Sequence, residues 1–408
     1  MRSLSFLCLL IAAATAAAQD TLVIEPGKHA RRNCPIAVAL PPGSPLAKGA
    51  AQGLPVSLVA GKARISAAIL PLGDGFELLF VAGELPAGAG QKLQIARGAA
   101  DASDAIALVA DGERIKVAAG GRPLTTYDPC VEPMRQIWPV LHPLHGPGGA
   151  MLTRAFPLDG PAEATNDHPH HQSVWTAHGD VNGINFWHLK EGHGLVRQRT
   201  CGTARAPAAA RISAALDWCD ASGKKVLEEQ RTITFWATPD SARIIDFDAT
   251  FRATEGDVRF GDTKEGGLLA VRLADSMREK QKEGAPPGKI VNAEGAVGES
   301  AAWGKPAAWC DYSGPVGGKT AGVTLFAHPE NSLKPMRWHV RNYGLMTANP
   351  FGLSDFAKDK TKDGSQVLKQ GQSWRMRFRL LAHAGGADEA RVADVHRDYV
   401  EPPAANLQ

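Results

Sequence analysis

The sequence has few long apolar runs and no strong excess of charge of one sign. After the first twenty residues, no stretch reaches the roughly 20 consecutive apolar residues that a transmembrane helix needs, so we expect no membrane span. The net charge is +3, and acidic and basic residues are interspersed, which is atypical of a nucleic-acid-binding surface. The composition therefore predicts a globular protein without a nucleic acid partner.

Cysteine is also scarce. The six cysteines include no C-x-x-C spacing, which argues against a structural zinc site built on cysteines. Five of them follow Cys8, so at least one thiol is free or pairs with another molecule. Cys201 and Cys219 flank a turn-like Ala-Pro-Ala segment and could face each other across a hairpin, although a sequence does not fix disulfide connectivity.

The one long apolar run lies at the N-terminus. Arg2 supplies a positive start, Leu4–Ala13 is apolar, and small residues precede Gln19. This is the pattern of a secretory signal peptide that is cleaved near Ala18. We therefore expect residues 1–18 to be a signal peptide and the mature protein to be secreted or periplasmic.

Alternation of apolar and polar residues predicts strands over most of the chain. Short runs such as Thr21–Glu25 and Arg243–Arg252, separated by glycine, proline and aspartate, are typical of an antiparallel sandwich. Helical spacing is clear only in Asp388–Tyr399. Because the length favours two domains, we expect an all-β fold with a small N-terminal β domain at 19–118, a large antiparallel β-sandwich at 122–405 and a short C-terminal helix.

Histidine is concentrated in one segment. Eight of the 13 histidines lie between residues 142 and 193, most densely in an Asp-His-Pro-His-His run. Pro169 favours an extended conformation of the residue before it, which predicts His168 and His170 on one side and His171 on the other. Imidazoles can serve as acids, bases or metal ligands. We expect His168 and His170 to bind substrate and His171 to act in catalysis.

A second group of candidates follows this run. His178 and Asp180 are spaced to share one face, and Trp175 and Trp187 offer flat apolar faces on which sugars stack. We expect His178 to act in catalysis, and Trp175, Asp180 and Asn182 to bind substrate. Core packing of the tryptophans is the alternative.

A third group lies at the start of a predicted strand, where Lys264 and Glu265 precede two glycines. The glycines suggest a constrained turn that presents these side chains. Glu265 is the preferred general base, with Lys264 as a substrate-binding residue. The alternative is an exposed ion pair without a role.

A fourth group combines His339, Arg341, Tyr343 and, further along, Asn349. In an extended run the first three share one face, and a buried strand would not tolerate that polar face without partners or a ligand. We expect His339 to be catalytic and the other three to bind substrate. The alternative is a face that meets solvent.

These groups together resemble the bacterial family labelled "methane oxygenase PmoA", a secreted β-rich family. The resemblance covers residues 123–383 and rests on four segments: Asp167–His171, His178–Gly183, Asp262–Gly267 and Trp338–Gly352. Three positions depart from the family pattern: Gln172 replaces an arginine, and Asn185 and Asn342 replace aspartates.

The label does not fit the activity that it names. A membrane-embedded monooxygenase subunit needs several apolar spans of about 20 residues, and this sequence has none after the signal-like segment. The resemblance instead implies carbohydrate processing and a fold similar to the galactose-mutarotase-like supersandwiches. Fold similarity alone does not establish a function.

The leading hypothesis is therefore an enzyme that acts on a carbohydrate, as a hydrolase, lyase or epimerase. A histidine acid and a glutamate base on opposite sides of a sugar would suit proton transfer without an obligatory metal or other cofactor. Hydrolysis more commonly needs two carboxylates, for which Asp180 and Glu265 are available.

Two other hypotheses remain open. One is a glycan-binding protein without activity, in which the same residues only bind. The other is a metalloenzyme with zinc or calcium held by His168, either His170 or His171, and His339, since alternate residues of an extended run share a face.

Overall fold

The computed structural model describes residues 20–101, 103–129, 135–159 and 165–408. The expected signal peptide at 1–18 and Cys130 lie outside these ranges. Within them the protein is mostly β, and the strand pairs are antiparallel. No helix in the described ranges is both long and apolar enough to span a membrane.

The N-terminal sheet has seven strands in the order β2-β5-β4-β3-β6-β1-β25. Its strands are β1 (Thr21–Glu25), β2 (Arg31–Ala39), β3 (Leu54–Ala60), β4 (Ala63–Leu72), β5 (Gly75–Leu85), β6 (Gln91–Arg97) and β25 (Ala404–Leu407). Residues from the first six strands enclose a core of their own.

The site sheet has eight strands in the order β21-β22-β17-β11-β10-β9-β8-β7. Its strands are β7 (Ile106–Asp111), β8 (Arg114–Ala119), β9 (Arg122–Asp128), β10 (Val140–Leu141), β11 (Val174–His178), β17 (Gly266–Arg272), β21 (Trp338–Arg341) and β22 (Leu345–Ala348). The candidate residues lie on β11 and β21 and on the loops beside β11, β17, β21 and β22, so this sheet positions the site.

The middle sheet has eight strands in the order β12-β13-β14-β15-β24-β20-β19-β18. Its strands are β12 (Leu195–Ala206), β13 (Ala209–Cys219), β14 (Lys225–Trp236), β15 (Ala242–Arg252), β18 (Lys289–Asn292), β19 (Trp309–Val316), β20 (Lys319–Ala327) and β24 (Ser373–Ala384). A separate pair joins β16 (Val258–Phe260) to β23 (Gln366–Leu368).

The middle sheet is buried on both faces. Leu380 belongs to the core shared with the site sheet, whereas the next residue, Leu381, packs with Leu70 and Leu79 of the N-terminal sheet. Successive side chains of a strand point to opposite faces, so a sheet between two others needs apolar residues at both. The result is three stacked layers, and the predicted large antiparallel sandwich is confirmed.

Helices are short and peripheral in the described ranges. They are α1 (Glu299–Ala302), α2 (Leu353–Ala357) and α3 (Val392–Val400), with 3-10 turns at Pro45–Ala47, Ala50–Gln52, Pro147–Gly149 and Asp275–Met277. The predicted C-terminal helix is confirmed but begins later than expected, because Arg391 has a left-handed backbone with φ of 55° that a regular helix excludes.

The predicted domain boundary does not coincide with a sheet boundary. Strands β7 and β8, which fall within the expected N-terminal domain, are paired with β9 in the site sheet. The tight turn at Gly120 and Gly121, with φ of 58° and 73°, folds β8 onto β9. Division of the chain into two domains stays a prediction.

The possible disulfide between Cys201 and Cys219 is not formed in the structure. Cys201 lies opposite Ala214 and Cys219 lies opposite Leu195 in the β12–β13 hairpin, so the two thiols do not face each other. Both are free in the structure.

A buried ion pair joins the N-terminal sheet to the C-terminal helix. Arg31 of β2 lies 2.8 Å from Asp398 of α3, and both side chains are buried. Burial raises the pKa of Asp398 despite the nearby charge of Arg31. The free-energy cost of removing both charges from water offsets much of their mutual attraction. The pair therefore affects stability mainly when one partner is removed and the other charge stays buried without it.

We predict that Asp398→Ala lowers the free energy of unfolding by about 3–5 kcal/mol, because Arg31 would stay buried without its partner. Asp394→Ala, on the same helix but in partly exposed ion pairs with Arg391 and Arg397, should cost about 1 kcal/mol or less. Urea denaturation measures both. Similar losses for the two variants would contradict this account of the buried pair.

Candidate active site

The histidine run forms a turn rather than an extended segment. His168 has a left-handed backbone with φ of 44°, and its carbonyl accepts a hydrogen bond of 2.9 Å from the His171 amide. The expectation that His171 points away from His168 and His170 is therefore wrong. The turn places the ring centre of His171 4.8 Å from that of His168 and 4.5 Å from that of His170.

A fourth histidine joins these three, and together His168, His170, His171 and His188 are called the histidine cluster. The His188 ring lies 4.6 Å from that of His170. Asn185 holds this loop, because its side-chain oxygen accepts hydrogen bonds from the amides of Trp187 and His188. His188 was not among the predicted site residues, although it lies in the histidine-rich segment.

Beneath the cluster lie two buried arginines that the sequence analysis missed. Arg154 and Arg272 are 2% and 0% exposed, and each donates a hydrogen bond of 2.7 Å to the same oxygen of Asp167. Arg154 also donates to the carbonyl oxygens of His168 and His171. An arginine cannot lose its charge, so it is buried only where acceptors surround it.

Glu265 lies in a turn that several elements hold. Its carbonyl accepts a hydrogen bond of 2.7 Å from the Gly179 amide, and a side chain at position 179 would lie 2.8 Å from that carbonyl oxygen. The Lys264 amide donates to Asp355 of α2, and Asn349 donates to the Lys264 carbonyl. The turn is thus fixed from the β11 side, from α2 and from the loop after β22.

The Glu265 carboxylate is half-buried and pairs with the Lys264 ammonium. Burial by itself would raise the pKa of Glu265, but the hydrogen bond from the Lys264 ammonium and the charge of that ammonium oppose it. The pKa lies below its ordinary value, so the carboxylate is ionised at neutral pH. The Lys264 carbonyl lies 2.7 Å from Nδ1 of His339, so His339 lies beside the Glu265 turn.

Burial keeps the nearby histidines neutral. It lowers the pKa of His339 to about 4, and together with the charge of His188 it lowers that of His170 to about 3. The pKa of His171 is also lowered, first by burial and then by His170 and Arg272. At neutral pH each of these rings therefore carries one proton, and its position is set by the hydrogen bonds around it.

The neighbours of His171 and His339 assign opposite tautomers to the two rings. Arg272 can only donate, and it lies 3.3 Å from Nδ1 of His171, a contact that favours a His171 proton on Nε2. The Lys264 carbonyl can only accept, and it lies 2.7 Å from Nδ1 of His339, so Nε2 of His339 is a bare acceptor. Neither Nε2 atom has a hydrogen-bond partner among the described residues.

Tyr343 completes this arrangement. Its ring stacks on His168 with centres 4.8 Å apart, and the guanidinium carbon atoms of Arg272 and Arg341 lie 4.9 Å and 5.4 Å from its centre. Arg341 also pairs with Glu299 at 3.1 Å. The structure thus brings the predicted residues His168, His170, His171, Lys264, Glu265, His339, Arg341 and Tyr343 into one region.

Other predicted residues lie behind this region. His178 is fully buried between Phe260 and Phe351, and its Nε2 contacts the Gly261 carbonyl at 2.9 Å. Trp175 is 1% exposed and packs in the core under His171, so the prediction of direct sugar stacking on it is corrected. Trp175 contacts the site through His171, whereas His178 contacts Phe260, Phe351 and the Gly261 carbonyl behind it.

The remaining predicted residues stabilise turns. Asp180 accepts a hydrogen bond from the Gly183 amide and pairs with Arg259, and Asn182 accepts one from the Arg259 amide. Asn349 contacts backbone of the Glu265 turn. Asp180 is therefore paired with Arg259 and holds a turn through the Gly183 amide.

The alternative metal site is not assembled in the part of the chain that the structure describes. No group of three or more histidine, cysteine, aspartate or glutamate residues there is arranged to hold a metal ion. Of the expected ligands, His171 and His339 already use Nδ1 in hydrogen bonds, which leaves only their Nε2 atoms.

We predict that Lys264→Met raises the pKa of Glu265, because it removes both a hydrogen bond to the ionised carboxylate and a neighbouring positive charge. Carboxyl ¹³C NMR followed through a pH titration measures this directly. Lys369→Met, which breaks an exposed pair with Asp257, is the matched control and should leave Glu265 unchanged. An unchanged Glu265 titration in Lys264→Met would disprove the electrostatic role of Lys264.

A protein-family model, described as a family of unknown function (DUF6807), matches residues 114–397. No curated protein matches the chain. Among solved structures, an alpha-mannosidase from Enterococcus faecalis V583 aligns with a TM-score of 0.43 and 9% identity over 96% of this chain and 46% of that one. The chain thus spans about half the length of that mannosidase.

A galactose mutarotase related enzyme from Lactobacillus acidophilus aligns with a TM-score of 0.25 and 10% identity, over 68% of this chain and 97% of that one. At these TM-scores neither likeness supports a conclusion about activity.

Proposed function

Since the chain belongs to the DUF6807 family of unknown function, we propose from its site that it is a carbohydrate-active enzyme that uses Glu265 as a base. The resemblance to the family labelled methane oxygenase PmoA stays a prediction, as do the signal peptide and the secreted or periplasmic location. The proposed substrate is a sugar, and the proposed chemistry is proton transfer.

The observation that carries this proposal is a pair of unpartnered imidazole nitrogens, one of which, on His339, belongs to a ring that contacts the Glu265 turn. His171 offers an N–H donor and His339 offers a bare nitrogen acceptor, and neither Nε2 atom has a partner among the described residues. His171 and His339 are 1% and 2% exposed, so a ligand reaches these atoms only when the side chains that cover them move aside. A hydroxyl group would then satisfy either atom, because it both donates and accepts. Several hydroxyls on one small molecule, as in a sugar, match such a mixed set of neutral and charged partners.

The electrostatics favour an epimerase or lyase over a hydrolase. A neutral imidazole does not readily give up its last proton, but it can stabilise a developing oxyanion by hydrogen bonding. In this mechanism Glu265 takes a proton from a carbon next to a carbonyl, the C–H electron pair forms a C=C bond, and the carbonyl π pair moves onto the oxygen, which accepts a hydrogen bond from Nε2 of His171. Return of a proton to the carbon completes an epimerisation, and departure of a substituent from the next carbon completes an elimination. Glycoside hydrolysis would instead need a second carboxyl group, and Asp180 is engaged elsewhere.

The substrate itself would adjust the strength of the base. The free carboxylate is ionised and paired with Lys264, which makes it a weak base. A sugar that covers Glu265 and excludes water would add to the burial that raises its pKa, and so would strengthen it. Nε2 of His339, as an acceptor, would orient a hydroxyl beside the reacting carbon.

A glycan-binding protein without activity is the second candidate. The lowered pKa values of Glu265 and the histidines favour it, because groups that change protonation near neutral pH are the more effective catalysts. The unpartnered nitrogens would bind hydroxyls equally well in such a protein.

We predict that Glu265→Gln retains sugar binding and lowers turnover by about 10²-fold or more, because the amide is nearly isosteric but cannot take a proton. Calorimetry measures binding over a panel of aldoses, ketoses and uronic acids. NMR in D₂O measures exchange of the carbon-bound proton, which reports the proposed step even when no net product forms. Glu283→Gln, on an exposed loop, is the control and should match the unmodified protein.

Three outcomes would contradict the proposed enzyme that transfers a carbon-bound proton without a metal, each in a different way. Binding without exchange or product for any sugar would favour the glycan-binding protein. Cleavage of a glycosidic bond without proton exchange would identify a hydrolase. Activity that is lost on chelation and restored by zinc, manganese or calcium would overturn the mechanism without a metal.

A further inference from the structure

Arg272 contacts three residues of the site from beneath. It ends the buried strand β17 and has no exposed surface. One terminal nitrogen lies 3.3 Å from Nδ1 of His171, the other lies 2.7 Å from Asp167, and the guanidinium carbon lies 4.9 Å from the centre of the Tyr343 ring. The other residues of β17 are glycine, leucine, alanine and valine, so apolar packing does not explain a charged residue at the end of this strand.

We propose that Arg272 is a positioning residue that fixes His171 as the neutral tautomer with its proton on Nε2. The guanidinium has five N–H groups and no acceptor, so the imidazole nitrogen that faces it must present its lone pair. The opposite tautomer would place two N–H groups against each other.

The surrounding charges reinforce this assignment. Arg154 and Arg272 share the single carboxylate of Asp167, so the cluster beside His171 carries an excess of positive charge. The more distant Arg278 lies 3.8 Å from Asp167 and pairs with Asp275. A second proton on His171 would add charge to this buried group, so the imidazolium form is disfavoured.

The same contacts fix the position of the ring as well as its proton. Arg154 donates to the carbonyl oxygens of His168 and His171, which holds the turn that carries both rings. The His168 ring stacks on the His171 ring, and the Tyr343 ring stacks on the His168 ring. His171 therefore presents one N–H donor in one direction, and the catalytic consequence, recognition of a carbonyl oxygen or oxyanion, rests on the proposed function.

The tautomer can be measured without any substrate. In protein labelled with ring-¹⁵N histidine, two-dimensional ¹H–¹⁵N NMR distinguishes protonated from bare ring nitrogens, and loss of one signal set in His171→Gln assigns the residue. At neutral pH we expect a bare Nδ1 and a protonated Nε2 for His171. His339 is an internal reference, because it should show the opposite pattern.

Variants then test the cause. Arg272→Met should replace the single His171 tautomer with a mixture, whereas Arg278→Met, which removes a neighbouring arginine without a contact to His171, should leave the His171 signals unchanged. A residue that is only structural would lower stability in Arg272→Met without changing the tautomer. In a working assay, loss of this positioned donor should lower turnover by about 10²-fold with a smaller change in KM.

The proposal fails if His171 in the unmodified protein carries its proton on Nδ1 or is doubly protonated at neutral pH. That measurement decides the matter even when Arg272→Met does not fold. It also separates this proposal from the proposed function: a protonated Nε2 with no sugar turnover would leave the positioning role intact and would refute only the enzyme.

Discussion

The site depends on one partly buried interaction, the binding of two buried guanidiniums to the carboxylate of Asp167. Two charged side chains with almost no exposure are tolerated only because the carboxylate and several backbone carbonyls accept their hydrogen bonds. Arg154 comes from the segment before the histidine run and Arg272 from the end of β17. Asp167 therefore joins two distant parts of the chain, and the positions of His168, His171 and Tyr343 follow from that junction.

The layered fold explains why so polar a group can be buried. The middle sheet is covered on both faces, which gives the site sheet a large apolar support on one side. The strands β11, β17, β22 and β21 are neighbours in that sheet, and their ends carry the histidine turn, the Glu265 turn and Tyr343. Glycines at positions 179 and 266 let these turns approach closely, since a side chain at 266 would lie 2.5 Å from Nδ1 of His178. Rigid strands thus fix side chains that loops alone would hold less well.

Much of the fold could be predicted from the sequence, because the alternation of apolar and polar residues that is typical of a strand is visible within each short segment. Thr21–Glu25 and Arg243–Arg252 agree with β1 and β15 within a residue. Most of the site residues could be found for a similar reason, since histidine is rare elsewhere. The conformation of His168 could not, because the preference that Pro169 imposes is outweighed by the hydrogen bonds to the His168 carbonyl. The burial of Trp175 and the binding of Arg154 and Arg272 to the same carboxylate, that of Asp167, could not be predicted either. Both depend on contacts between segments far apart in the chain.

The chemistry of the site follows from hydrogen-bond partners more than from residue types. A sequence shows two histidines, but His171 faces a guanidinium and His339 faces a carbonyl, which makes one a donor and the other an acceptor. Burial keeps both neutral, so neither ring offers the charge that would select an anion. The ionised Glu265 beside them also disfavours a carboxylate or phosphate ligand at that point. A neutral ligand with hydroxyl or carbonyl oxygens satisfies all three groups at once, whereas either kind of charged ligand would leave at least one of them without a suitable partner.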